Sequence, residues 1–235
     1  MKILGRGNTA EAIEQDALRI CKLFYEGYPI AAIEQECRNA ELMWSLGLPV
    51  PRVHGMINTG NRTGIVYDRL YGRTMLDMLL EDMSNEALIK QMAGLHKRII
   101  SFRTDKPVYY KQFLHSCVGI RTELNAPLHN KIDKLPDGSC LCHGDYHPAN
   151  IIIDDDGGLW IIDFINVCYG PWEYDVARTY FLIEEGQVPE AALHREEEAL
   201  VKERLLGVYL KELGISYEDI AEYITVIKEC RKYEI

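Results

Sequence analysis

Apolar positions in the first seventy residues alternate or cluster in short runs, as in strands, around one stretch with helical spacing. The segments "KIL", "AEAIE" and "ALRICKLFY" are separated by Gly5, Gly7 and the polar pair Gln15 and Asp16, and predict three strands. From Ile30 the spacing changes. Ile33, Cys37, Ala40 and Trp44 form a helical stripe, and Gly47 followed by Pro49 predicts its end. "GIVYDRL" predicts a further strand, broken by Gly72. Past Gly72 the helical period dominates. Ser84 is placed to cap a helix with Glu86 in its first turn and Leu88, Met92, Leu95 and Ile99 on its buried face. Two strands interrupt the helices, "NIIID" and "LWIIDF", joined across a "DDGG" turn. Then come a helix in "YDVARTYFLI", a charged helix from about Pro189 to Leu213 stopped by Gly214, and a last helix from Ser216 with Asp219 as its capping-box partner. The reading is α+β, with a strand-rich part over residues 1–70 and a mainly helical part over residues 71–235.

Composition narrows the function classes. Hydrophobic content of 47% and charged content of 26% are those of a globular protein with a proper core. The net charge of −10 argues against a general nucleic-acid binder, which needs a basic stripe to neutralise phosphates. A polyanionic ligand such as a nucleotide would need a few local cations or metal ions against that field. Seven cysteines without repeated spacing read as reduced thiols. The N-terminus turns polar too early for a secretory signal, and no apolar run approaches the roughly 20 residues that span a bilayer. A cytoplasmic protein with no membrane partner is expected; nothing in the pattern sets an oligomeric state.

The densest chemistry lies in "LCHGDYHPANIIIDDDGGLWIIDF", residues 141 to 164. Moving a proton from a hydroxyl requires a carboxylate within reach of it. If that hydroxyl attacks a phosphate, a divalent cation must offset charge on the leaving oxygens. Asp145, Asn150 and Asp163 fit this need, because a hairpin delivers Asp163 beside Asn150. Their hard oxygen donors suit magnesium, which takes phosphate and water as its other ligands. Asp154, Asp155 and Asp156 read as a solvated turn. Cys140, Cys142, His143 and His147 lack the two separated ligand pairs of a closed zinc cage.

"HGDYHPANIIID" followed by "IIDFINVCYGPWEYDVAR" resembles the aminoglycoside phosphotransferase-like small-molecule kinases, a branch of the protein-kinase-like fold. Asp145 and Asn150 lie five apart, the Asp-to-Asn spacing of a kinase catalytic loop. The resemblance implies a two-lobed fold, Asp145 as catalytic base, Asn150 and Asp163 as magnesium ligands, and structural roles for His143 and Asp175. His147 stands where protein kinases usually carry a lysine. "CKLFYEGYPIAAIEQECRNAELMWSLGLPVPRVHG" extends the resemblance and implies Lys22 paired with Glu36 rather than Glu34. "GIVYDRLYGRT" resembles the hinge, where adenine would bond to backbone around Asp68 to Leu70. Gly5 and Gly7, between the first two strands, are placed where backbone approaches a phosphate.

The resemblance spans about Leu4 to Tyr180. Phe164 is followed by Ile165 rather than glycine, and the strand before Gly5 is very short. The implied activity is transfer of a phosphoryl group from ATP or GTP, with Mg2+, to a hydroxyl of a small acceptor such as an aminoglycoside, amino alcohol or sugar. A small atypical protein kinase and a non-catalytic nucleotide-binding module are the alternatives. Only eleven residues separate Asp163 from Asp175 and no A-P-E follows, which leaves little chain for a peptide platform. The glutamates around Glu184, Glu185 and Glu196 to Glu198 read as a solvated helix face, or as an acidic rim for an amine-bearing acceptor. Trp172 and Tyr174 fit core packing or an acceptor pocket.

Overall fold

The structure, a computed structural model, describes residues 2–186 and 195–233, with side chains described outside residues 195–197. In chain order the elements begin with β1 Ile3–Arg6, β2 Ala10–Glu14, β3 Arg19–Phe24, α1 Ile30–Ser45, β4 Val53–Thr59, β5 Arg62–Asp68 and β6 Gly72–Thr74. They continue with α2 Met75–Glu81, α3 Glu86–Ser101, β7 Val108–Tyr109, α4 Tyr110–Val118, α5 Ala126–Lys134 and β8 Cys140–Cys142. A 3₁₀ turn at Pro148–Asn150 leads to β9 Ile151–Asp154 and β10 Leu159–Ile161. The last elements are β11 Cys168–Gly170, α6 Trp172–Glu185, α7 Arg195–Leu213 and α8 Ala221–Arg231. The expected helix start near Pro189 and the side chains of Glu196 and Glu197 lie outside the described residues.

The chain packs as two compact units, Met1–Met75 with Ala149–Asn166, and Leu76–Pro148 with Val167–Ile235. In the first unit five antiparallel strands run in the order β1-β2-β3-β5-β4. Strand alternation puts Cys21 and Leu23 of the central strand into an apolar cluster with Ile13 and Ile57, so Lys22 emerges on the opposite face. The helix α1 packs against β4 and β5. Its buried side is Ile33, Glu36, Cys37, Asn39, Ala40 and Met43. Trp44, expected on that stripe, is instead 50% exposed and carries the Arg52 guanidinium 5.5 Å from its ring centroid; Met43 takes the core position. Strand β4 has no counterpart in the expectation: its positions alternate between half-buried and exposed with none fully buried, and Gly55, at φ 112°, sits at a register shift against β5.

A second sheet in this unit runs β10-β9-β6. Gly72 does not break the preceding strand, which already ends at Asp68; it opens β6. A Cβ there would stand 2.2 Å from the Ile153 carbonyl oxygen, so the close pairing with β9 requires glycine. Gly72→Ala is expected to lower the unfolding free energy by about 1–3 kcal/mol through overpacking, read from the urea midpoint at unchanged m-value. A midpoint equal to wild type would show that β6 shifts without cost.

In the second unit β11 pairs parallel with β7 and antiparallel with β8. Around this sheet α3 packs on α7, α6 on α7 and α8, and α4 on α5 and α8. Leu88, Met92, Leu95 and Ile99 are buried as the helical period requires. The cap of α3 is Asn85, whose side-chain oxygen accepts from Leu88 N at 3.3 Å. Ser84 instead donates its hydroxyl to Asp82 at 2.6 Å. Asp219 accepts from the Ser216 N–H at 2.8 Å, but a turn closed by Ile220 N on Tyr217 O delays the regular helix to Ala221. All seven cysteines are free thiols, and among the described residues no helix is long and apolar enough to cross a membrane.

Candidate active site

Within the first unit Lys22 is the centre of a charged cluster. Its Nζ donates to Glu36 Oε1 at 2.7 Å and to Asp163 Oδ1 at 2.9 Å. The Tyr67 hydroxyl donates to the same Glu36 oxygen at 3.3 Å. Lys22 Nζ also lies 5.4 Å from the Phe24 ring centroid. Burial disfavours the ammonium, but Glu36 and Asp163 outweigh it and hold Lys22 above the usual lysine range. Burial pushes the Glu36 carboxyl up, against the pull of Lys22, with the Asp163 charge adding to the rise. One ammonium faces two carboxylates, so the cluster carries net negative charge. Glu34, the other candidate partner, is exposed and lies 3.8 Å from Arg38.

The β9–β10 hairpin sets Asn150 and Asp163 close along the backbone. Ile151 pairs with Ile161, and Ile162 N donates to Asn150 O at 3.0 Å, so Asp163 leaves the hairpin directly beyond that bond. Asp163 has φ 68°, the left-handed region that costs a non-glycine residue of order 1 kcal/mol or more. The turn is closed by Asp154, which accepts from Gly158 N at 2.6 Å, Asp156 N at 3.1 Å and Trp160 Nε1 at 2.7 Å. Asp154 is thus a turn brace. Among the described residues no group of three or more His, Cys, Asp or Glu side chains could hold a metal ion, zinc included. One carboxylate and one amide, next to excess negative charge, is the donor set that fits magnesium shared with a nucleotide.

The glycine segment differs from expectation in position. Gly5 lies inside β1, paired with Ala12 past a register shift, and Gly7 opens the three-residue turn. That turn is closed by Gly7 N donating to Ala10 O at 2.9 Å. Tyr25 tethers it, its hydroxyl donating to Gly7 O and its N–H to Thr9 O, both at 3.0 Å. At the end of β5, the Asp68 N–H donates to Arg52 O at 2.9 Å and the Arg69 N–H to Leu18 O at 2.8 Å. The Asp68 carboxylate faces His54 Nε2 at 2.6 Å.

In the second unit Asp145 follows β8 on a loop fixed by α6. Asp175 Oδ2 accepts from His143 N and Asp175 Oδ1 from Gly144 N, both at 2.8 Å. Arg178, one turn on, donates to Gly144 O at 3.2 Å. Gly144, at φ 75°, therefore has both peptide groups held by one helix face. His143 Nδ1 accepts from Asp145 N at 3.3 Å, and Asp145 Oδ2 lies 3.9 Å from His147 Nε2. Burial pushes the Asp175 carboxyl up. The His96 hydrogen bond and charge, with the two loop N–H groups, outweigh burial and hold it below the usual aspartate range. His96 Nε2 stands 2.9 Å from Asp175 Oδ2, and its Nδ1 meets the Tyr209 hydroxyl. His96 and Asn39 were missed in the sequence. For His96 a signal exists: it lies four residues after Met92, on the buried stripe of α3.

A five-stranded antiparallel sheet with one helix, a helical second part, and a strand lysine bonded to a helix glutamate define a kinase-like α+β protein. The chain belongs to the phosphotransferase enzyme family, whose model matches residues 5–205. The fold matches an aminoglycoside-3'-phosphotransferase of type VIII with TM-score 0.66 at 17% identity, covering 97% of this chain and 92% of that one. It matches aminoglycoside phosphotransferase APH(3'')-Id from Streptomyces rimosus, in complex with ADP and streptomycin, with TM-score 0.63 at 17% identity, covering 92% and 89%. A third match is a thermostable mutant of APH(4)-Ia in ternary complex with AMP-PNP and hygromycin B, with TM-score 0.56 at 13% identity, covering 99% and 93%. No curated protein matches the chain.

Proposed function

We propose that this phosphotransferase moves the γ-phosphoryl group of ATP or GTP to a hydroxyl of a small molecule, with Mg2+ and Asp145 as the base. The observation that carries the reading is Lys22 Nζ held between Glu36 and Asp163 at 2.7 and 2.9 Å. A fixed ammonium of this kind holds the phosphates of a nucleotide, and a helix carboxylate keeps it in place. Gly5 and Gly7 supply backbone beside those phosphates. The backbone around Asp68 to Leu70 meets the base, with the Asp68 and Arg69 N–H groups already given to Arg52 O and Leu18 O. Asn150 and Asp163 hold the magnesium ion, which supplies charge neutralisation on the phosphate oxygens when bound. Asp145 accepts the proton as the acceptor oxygen bonds to the γ-phosphorus and the bond to the β–γ bridging oxygen breaks, releasing the nucleoside diphosphate.

The small acceptor is favoured over a protein by what fills the stretch after Asp163. The strand β11 at Cys168–Gly170 and the start of α6 at Trp172 occupy it, so no extended segment precedes Asp175. Aminoglycosides, amino alcohols and sugars are the acceptor classes to screen, and the net charge of −10 suits the amine-bearing ones. ADP and GDP release measured over such a panel, with protein acceptors in parallel, tests the proposal. Phosphorylated small acceptors formed only with divalent metal are expected. Protein phosphorylation without small-molecule turnover would reverse the acceptor class. Tight nucleotide binding without transfer to any acceptor would make the protein a binding module.

A further inference from the structure

We propose that Asn39 is a positioning residue that fixes the backbone of Asp163, so that α1 holds the site at two points rather than one. Asn39 is 1% exposed, in the interior of α1, where a buried amide without partners would be costly. Its Nδ2 donates to the Phe164 carbonyl at 2.9 Å, in the peptide between Phe164 and Ile165, one residue beyond Asp163. Gln35 Nε2 donates to Asn39 Oδ1 at 2.8 Å, and Arg38 Nη2 donates to Gln35 Oε1 at 3.0 Å. This sequence of bonds orients the Asn39 amide, since its oxygen is taken by Gln35 and only its nitrogen faces Phe164.

Asp163 needs such a brace, because its φ of 68° persists only where the surroundings over-determine it. The Lys22 bond restrains the Asp163 side chain, and the Asn39 bond restrains the chain at the Phe164–Ile165 peptide, one residue further on. Glu36 and Asn39 are three residues apart on one face, so the same helix orients Lys22 and the chain after Asp163. Tyr67 lies on the same side, with its ring centroid 6.3 Å from that of Phe164. An apolar residue at position 39 would leave Phe164 O without this donor and relax Asp163, while Lys22 and Glu36 kept their own contact.

The proposal rests on reading Asp163 as a metal ligand. The experiment measures AMP-PNP binding by calorimetry with Mg2+ and with EDTA, for wild type, Asn39→Leu and Asp163→Asn. Asn39→Leu is expected to weaken the Mg2+-dependent part of binding about tenfold, the loss of one buried hydrogen bond, with metal-free binding within about twofold. In the metal-free protein, amide exchange over residues 162–166 should quicken while the α1 core stays protected. Unchanged metal dependence with unchanged exchange at 162–166 overturns the proposal and leaves Asn39 a packing residue. Wild type and Asp163→Asn binding alike in both conditions overturns the ligand assignment, and the proposal with it. Asn39→Ala, with a smaller packing demand, replaces the leucine variant if that one does not fold.

Discussion

Asp145→Asn is expected to lower phosphotransfer turnover by roughly 10²- to 10⁴-fold, the usual contribution of a positioned general base. The substitution keeps the shape of the side chain and one acceptor oxygen, so it removes proton affinity and little else. Its backbone support is independent of the carboxylate. Asp145 N donates to His143 Nδ1, and the preceding peptides are held by Asp175 and Arg178 of α6. Nucleotide binding should stay within about threefold of wild type, because Lys22, Glu36 and Asp163 keep their mutual bonds. Single-turnover phosphotransfer alongside AMP-PNP calorimetry separates the two effects. Near-normal transfer by the asparagine variant would remove Asp145 from the role of base. Equal loss of binding and turnover would instead make it part of the nucleotide site.

Much of this arrangement is legible along the chain because it is local. The segment from Ile151 to Ile161 is two short apolar runs on either side of a polar Asp-Gly turn, so its hairpin brings Asn150 and Asp163 close through backbone pairing alone. Lys22 stands between buried Cys21 and Leu23, and strand alternation sends it to the other face. Glu36 is separable from Glu34 by the same reasoning on a helix, since it adjoins Cys37 on the buried side. What was not legible depends on partners distant in sequence. Asn39 acquires meaning from Phe164, which is 125 residues away. Gly72 reads as a breaker until β9 is known to press a carbonyl against it. Trp44 and Met43 are neighbours with equal claims on the α1 stripe, and packing against β4 and β5 chooses the methionine. Local rules thus recover where the polar groups stand, and the braces behind them emerge only with the tertiary pairings.

Asp175→Ala is expected to have the largest effect on stability, about 3–5 kcal/mol at neutral pH, because it leaves several buried donors without their acceptor. The carboxylate is fully buried and serves three donors: His96 Nε2, His143 N and Gly144 N. Alanine would orphan all three in an apolar interior, and the loop carrying Asp145 would lose its main tie to α6. Asp175→Asn is the finer probe. Its amide oxygen can serve one of the two loop N–H groups, but its NH2 then faces a donor at the other, so a cost remains. The pH dependence follows from the depressed folded-state pKa of Asp175. Its stabilisation is complete above the unfolded-state value of about 3.9 and is lost as pH falls through the lower folded-state value. The difference in urea midpoint between wild type and Asp175→Asn should therefore hold from pH 7 to about pH 5 and shrink below about pH 4. A constant difference across that range would mean the carboxylate contributes by shape rather than charge. An alanine variant as stable as wild type would show that the His143–Gly144 loop finds other acceptors, and α6 would no longer explain how Asp145 is held.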